Sequence, residues 1–261
     1  MFFIFLNFKM AIHKTKAIVL ETKDYRETSY LLKLFTFDFG KINAQAKGAR
    51  RKIGKFGTNF LLMSYNEIVF YENNVSDLHI ISQADMLQHF GNIGGCLEKF
   101  TYAAYFLELV NTVMLVGEKN KEIFVLLLQF LNFLDAGCGL EQIRYIFEIK
   151  FLKISGFKPY FDCCVSCGEN IAEKSKFSYV FGGLLCKNCF GKDFAAQHIM
   201  EGTIASVNYI EQMDLSKFNN FKITLSIRKQ LEQILGSFIG FYLGRKFKSL
   251  SFLSEIRGSY V

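Results

Sequence analysis

Apolar and polar positions alternate, with interruptions, through Ala17–Glu21, Ser29–Phe37, Lys41–Ala46, Phe60–Tyr71 and Val75–Gln83. These segments are rich in Ile, Val, Phe, Tyr and Leu, which suit a half-buried pleated strand. Turn signals separate them: Asp38-Phe39-Gly40, the glycines from Gly48 to Gly57, and Asn73-Asn74. Five short strands within about 70 residues predict a small closed barrel of the OB type over residues 10–85. A two-sheet sandwich fits the same spacing.

After Asp85 the period lengthens. Glu98–Leu115, Lys119–Leu134 and Leu140–Ile154 carry apolar residues three and four apart, the spacing of helices. Gly117, Gly137, Gly139 and Gly156 fall where helices should end, and Pro159 stops the last of them. Two more helices are predicted near Glu201–Met213 and Thr224–Leu243. The first three are apolar around much of their circumference and should pack as a bundle. The pattern is that of an α+β multidomain chain: an N-terminal OB-fold β-barrel, then an α-helical C-terminal domain over residues 86–261, interrupted by an insert at 160–192.

The insert holds two close cysteine pairs, Cys164/Cys167 and Cys186/Cys189, eighteen residues apart across a span that reads as a β-hairpin. A two-residue gap lets one turn aim two thiolates at a single ion, and two such turns complete a tetrahedron. Gly168 follows the first pair where the turn calls for positive φ, and Gly182-Gly183 can turn the chain back before the second. Four protein ligands leave no open position, so the expected metal is one structural Zn²⁺ in a ribbon-like hairpin; iron suits the same four thiolates. The count of seven cysteines is odd and no secretory signal precedes them, which argues against a disulfide framework. Cys163 would leave a three-residue gap to Cys167, so spacing favours Cys164. Cys96 and Cys138 lie in apolar helical segments and read as core residues.

Composition adds a formal net charge of +7 and 51% hydrophobic residues, enough for real cores and weakly suggestive of an anionic partner. The 30 phenylalanines need no functional explanation. Ile123–Leu134 is too short to span a bilayer, and Phe100–Gly117 is broken by Glu108 and Asn111. Residues 1–9 are apolar without the basic flank or cleavage site of a signal peptide, and they read as a non-native extension before a start at Met10. A cytoplasmic protein is expected.

The clearest charge feature is a loop with no acidic residue: Lys41, Lys47, Arg50, Arg51, Lys52 and Lys55, interleaved with Gly48 and Gly54. By itself such a run is most simply a solvated surface. On a barrel whose loops commonly bind oligonucleotides, it becomes a candidate DNA-binding site. Tyr25 and Phe56 stand near it. A second basic set, Arg228, Lys229, Arg245, Lys246 and Lys248, could contact DNA or a protein partner, or form a plain solvated face. No phosphate-binding loop, dinucleotide fingerprint, deaminase signature or paired histidine spacing is present. A non-enzymatic protein is therefore expected.

Taken together, these residues resemble the RecO family of bacterial DNA repair proteins. Ala17 to Ser29 is similar to its opening strand and turn. Thr36, Gly40-Lys41-Ile42 and Ala46 to Arg51 are similar to its next signature. Gly156-Phe157-Lys158-Pro159, the two cysteine pairs, Phe177-Ser178 and Gly182-Gly183 resemble its zinc region, and Leu243 to Leu250 its ending. The match runs from Met10 almost to the end of the chain. Cys163 departs from it, standing where the family usually carries another residue. The resemblance implies a recombination mediator that binds single- and double-stranded DNA through its OB-fold and anneals complementary strands. With RecR it would help RecA replace single-strand-binding protein. It also implies that the helical part engages RecR and the acidic tail of single-strand-binding protein. The alternative is a zinc-ribbon scaffold that binds only proteins and anneals nothing.

Overall fold

The computed structural model describes residues 11–50, 56–73, 75–137, 139–140, 142–171 and 174–258. The chain divides into two compact units, Met1–Gly91 with Leu107–Leu128, and Asn92–Phe106 with Gln129–Val261.

In the first unit, β1 (Ile12–Tyr25), β2 (Ser29–Thr36), β3 (Gly40–Ala46), β4 (Tyr65–Tyr71) and β5 (Leu78–Gln88) close into a barrel in the order β1-β2-β3-β5-β4. Only the β3–β5 pairing is parallel. The barrel, and not the sandwich, is therefore the fold. Closure depends on β1 serving two neighbours. Ile12 to Ile18 pair with β4, Ala17 to Tyr25 pair with β2, and a bulge between Val19 and Glu21 bends the strand between them. Alternate side chains fill the interior, among them Val19, Leu32, Leu34, Ile42, Ala44, Ile68, Phe70 and Ile81.

Three strands depart from expectation: β5 runs Leu78–Gln88 where Val75–Gln83 was expected, and β1 and β4 also differ. β1 is far longer than Ala17–Glu21: its outer residues, among them His13, Lys14, Lys16, Lys23 and Asp24, are polar and break the apolar alternation, although they pair with β4 and β2 and Lys14 holds Glu67 of β4 at 2.7 Å. β4 starts at Tyr65, not Phe60. Residues 60–64 instead turn, with Met63 at φ +64, and exchange backbone hydrogen bonds with Val19 at the bulge.

The 107–128 part of this unit packs on the barrel. Phe124 from α3 (Lys121–Ala136) sits 5.9 Å from Phe35 and 5.5 Å from Phe37, centroid to centroid. At Gly40 (φ +68) a Cβ would lie 2.0 Å from the carbonyl oxygen of Glu118. Positive φ and backbone contact both demand glycine here. Gly40→Ala is expected to cost roughly 2–4 kcal/mol, read as a lower urea midpoint with an unchanged m-value. An unaltered midpoint would show that the contact is not made.

The second unit begins with the short helix α1 (Gly91–Gly94) and the first part of α2 (Leu97–Val113). It continues through α4 (Ile143–Ile154), α5 (Glu201–Gln212), α6 (Leu225–Leu243) and α7 (Lys248–Gly258). The expected helical domain is present. α4 is its axis, buried on nearly every side. The phenylalanines build this core: Phe147 stacks on Phe106 at 4.0 Å and meets Phe130 at 5.2 Å, and Phe218 stacks on Phe133 at 4.6 Å. α7 was not among the helices expected: three serines interrupt its four apolar residues, Leu250, Phe252, Leu253 and Ile256. Between α4 and α5 lies the insert, a small sheet of β6 (Ser175–Ser178), β7 (Gly183–Leu185) and β8 (Gln197–Ile199), ordered β7-β6-β8. Among the described residues no helix is long and apolar enough to cross a membrane.

Candidate functional site

The four insert cysteines converge. The sulfur atoms of Cys164, Cys167, Cys186 and Cys189 all lie within 4.8 Å of one another. Cys167 and Cys186 are 3.7 Å apart, close to the ~3.8 Å edge of a tetrahedron with Zn–S bonds of about 2.3 Å. Each pair sits on a tight turn. The Gly168 N–H donates to the Cys164 carbonyl at 2.8 Å, with Gly168 at φ +78, and the Cys189 N–H donates to the Cys186 carbonyl at 2.9 Å. The turns are tied together where the Val165 N–H donates to the Leu184 carbonyl at 2.9 Å. Leu185, Ala196, Val165, Ile171 and Phe190 pack around the sulfurs. Cys163 is not in the cluster and bridges to Asn170 instead.

The donor set suits a dication. Burial pushes the Cys164 thiol up, but the backbone N–H groups of Cys186, Ser166 and Cys167 outweigh it and bring it down to about 6. The Glu169 N–H favours the Cys167 thiolate, yet Cys164 and the other sulfurs push that thiol up to about 12. The cluster thus accepts one negative charge readily and resists the next, a conflict that a bound cation removes. Four protein ligands would leave a bound ion no open position.

The basic loop falls at one end of the barrel. Lys47 and Arg50 are exposed there. Arg50 pairs with Asp24 at 2.9 Å, donates to the Arg26 carbonyl at 3.3 Å, and donates its backbone N–H to the Thr28 carbonyl at 3.0 Å. It therefore fixes the β1–β2 turn, where Arg26 adopts φ +52 and lies 5.1 Å from the Tyr25 ring centroid. Arg26 is a cation of this end that the loop pattern missed; its place opposite Lys47 and Arg50 follows only from the β1–β2–β3 register. Arg51, Lys52 and Lys55 lie outside the described residues, as do residues 1–9 and Cys138. Phe56 is buried in the barrel core, 5.2 Å from Phe60. Lys41 belongs elsewhere: it is buried, and its Nζ donates to the Asn111 carbonyl at 2.6 Å. Burial holds its ammonium below the ordinary lysine range.

The second basic set does not form one patch. Arg228 and Lys229 begin α6 while Arg245, Lys246 and Lys248 follow its end, about 25 Å further along the helix axis. Arg245 and Lys246 line a groove of about 560 Å³ together with Ser237, Gly240 and Phe247, and Arg144 lies at its base. Arg144 donates through Nε to Glu148 at 2.9 Å, and the Tyr105 hydroxyl donates to the same carboxylate at 2.6 Å. Glu148 is fully buried, and burial holds its carboxyl above the usual range against the pull of Arg144 and Tyr105.

A closed OB-like barrel followed by a helical unit with a four-cysteine insert is the architecture of a recombination protein of the RecO type. Residues 10–90 match the sequence model of the family described as Recombination protein O N terminal, and residues 96–251 that of Recombination protein O C terminal. The DNA repair protein RecO of Alkaliphilus metalliredigens is 34% identical over 245 residues, covering 93% of this chain and 99% of the relative. Its namesake from Caldicellulosiruptor saccharolyticus is 30% identical over 248 residues, covering 95% and 100%. That of Acetivibrio thermocellus is 29% identical over 244 residues, covering 93% and 96%. The chain belongs to the RecO family.

Proposed function

We propose that this chain is a DNA repair and recombination mediator that works in the cytoplasm. In this reading it binds single- and double-stranded DNA, anneals complementary strands, and acts with RecR to load RecA on DNA coated by single-strand-binding protein. The observation that carries the reading is the cluster of Lys47, Arg50, Arg26 and Tyr25 at one end of the barrel, in a member of this family. Cations there replace the counterions of phosphates, and the ring offers a face to a base. Arg51, Lys52 and Lys55 extend the contact. Lys41 acts as a buried structural cation. Arg228, Lys229, Arg245, Lys246 and Lys248 contact DNA or a protein partner, the tail of single-strand-binding protein among the candidates. Cys164, Cys167, Cys186 and Cys189 hold one Zn²⁺, which supplies rigidity to the insert and no chemistry. The chain has no catalytic role: it redistributes strands by competitive binding.

Annealing of complementary oligonucleotides, bare or coated with single-strand-binding protein, tests this. The chain should accelerate both reactions, and Lys47→Ala/Arg50→Ala should slow them about tenfold at moderate salt. No acceleration by the unaltered chain would instead support the protein-only scaffold.

A further inference from the structure

We infer that the β6–β7 turn of the insert and the end of α6 form a second binding surface for single-stranded nucleic acid. Four large apolar side chains are exposed there: Val180 (65%) and Phe181 (44%) on the turn, Phe241 (55%) and Tyr242 (43%) on the helix. Single exposed apolar residues are ordinary, but a contiguous group is not. The group is contiguous because Tyr242 lies on the turn: a Cβ at Gly182 would meet its hydroxyl at 2.5 Å. The Phe241 and Tyr242 rings are 5.5 Å apart.

The rings are also held firmly. Tyr242 packs 4.4 Å from Phe238, which in turn meets the buried Phe177 of β6 at 6.0 Å. The turn is pinned by the Phe181 N–H, which donates to Ser178 Oγ at 3.1 Å, and by the Tyr160 N–H, which donates to the Gly182 carbonyl at 2.9 Å. A presented, immobile ring binds a base without losing freedom of its own.

Charge selects the occupant. Between Glu232 and Glu255 the chain carries Arg245, Lys246 and Lys248 and no carboxylate. The backbone of Arg245 folds back beside Phe241, its carbonyl 3.7 Å from where a Cβ at Gly240 would be. Asp193 accepts from the Ser178 hydroxyl, and Glu232 lies in the groove beside Arg144. Stacking faces bordered by cations fit a strand whose bases are splayed and whose phosphates run along the basic edge. The surface rests on the nucleic-acid reading above and deepens it: annealing needs two strands held at once, and this site is distinct in sequence from the barrel loop.

The test is anisotropy of a fluorescent oligothymidine with the full chain, from low to moderate salt. Phe181→Ala/Phe241→Ala should weaken binding about tenfold or more at every salt concentration, with the slope of log affinity against log salt unchanged. Phe181→Tyr/Phe241→Tyr should restore the affinity, which a folding defect in the alanine variant would not explain away if both variants melt together with the parent. Arg245→Gln/Lys246→Gln should reduce the slope by about 1.4. If both the alanine and the glutamine variants bind like the parent, while Lys47→Ala/Arg50→Ala weakens binding, the inference falls and the patch is left to a protein partner. If the parent itself binds no strand, the reading in the previous section falls with it.

Discussion

Cys189→Ser is expected to cost the protein its metal and the order of its insert. The purified chain should contain one equivalent of zinc; the variant should contain less than a tenth of that. Structural zinc contributes an apparent ~10–16 kcal/mol at neutral pH, a free energy shared with local folding. The insert has little else to hold it. Its three strands are four, three and three residues long, and its core around the sulfurs is a handful of side chains. Loss of the ion leaves mutually repelling sulfurs at the centre of that core. Hydrogen exchange should therefore rise sharply over residues 160–199 in the variant, while the barrel strands keep their protection. A parent protein without metal, or a variant that keeps both metal and protection, would contradict this account of the cluster.

Glu148→Ala is expected to destabilise the helical unit by about 3–5 kcal/mol. The carboxylate accepts from Arg144 and from Tyr105 at the centre of the fold, and it is fully buried. Removing it strands a guanidinium that is itself almost wholly buried. A melting temperature lower by roughly 6–20 °C would follow. The double variant Arg144→Met/Glu148→Leu should recover most of the loss, because a buried ion pair contributes little against apolar residues of similar volume while a broken pair is costly. A single variant as stable as the parent would show that Arg144 reaches solvent. Equal losses in the single and double variants would show that shape, not charge, is what Glu148 supplies.

The same residue shows where the sequence is opaque. Arg144 and Glu148 stand four apart on a helix, the ordinary spacing of a solvated ion pair, so nothing in the pattern marks them as buried. The barrel was legible because its interior positions alternate, yet the outer parts of β1 were not, because His13, Lys14, Lys16, Lys23 and Asp24 make them polar although most of their partners across the strand are apolar. α7 escaped because its three serines interrupt a short apolar pattern and Leu253 is its one side chain described as buried. The cysteine cluster was legible in full: spacing alone picked Cys164 over Cys163, and the sulfur positions agree. The basic loop was legible as charge, but not as geometry. Sequence could not tell that Lys41 turns inward to Asn111 of α2, which depends on how the helix packs, nor that Arg50 donates to the Arg26 carbonyl, which depends on strand register.

In the proposed function, cations at this barrel end hold nucleic acid by its phosphates. Single-strand affinity measured between low and moderate salt tests it most directly, comparing the parent with Arg50→Ala/Arg51→Ala/Lys52→Ala. The variant's salt slope should fall by about 2, roughly 0.7 for each of three lost phosphate contacts on a single strand. An unchanged slope, with the variant folded and its affinity intact, would contradict it.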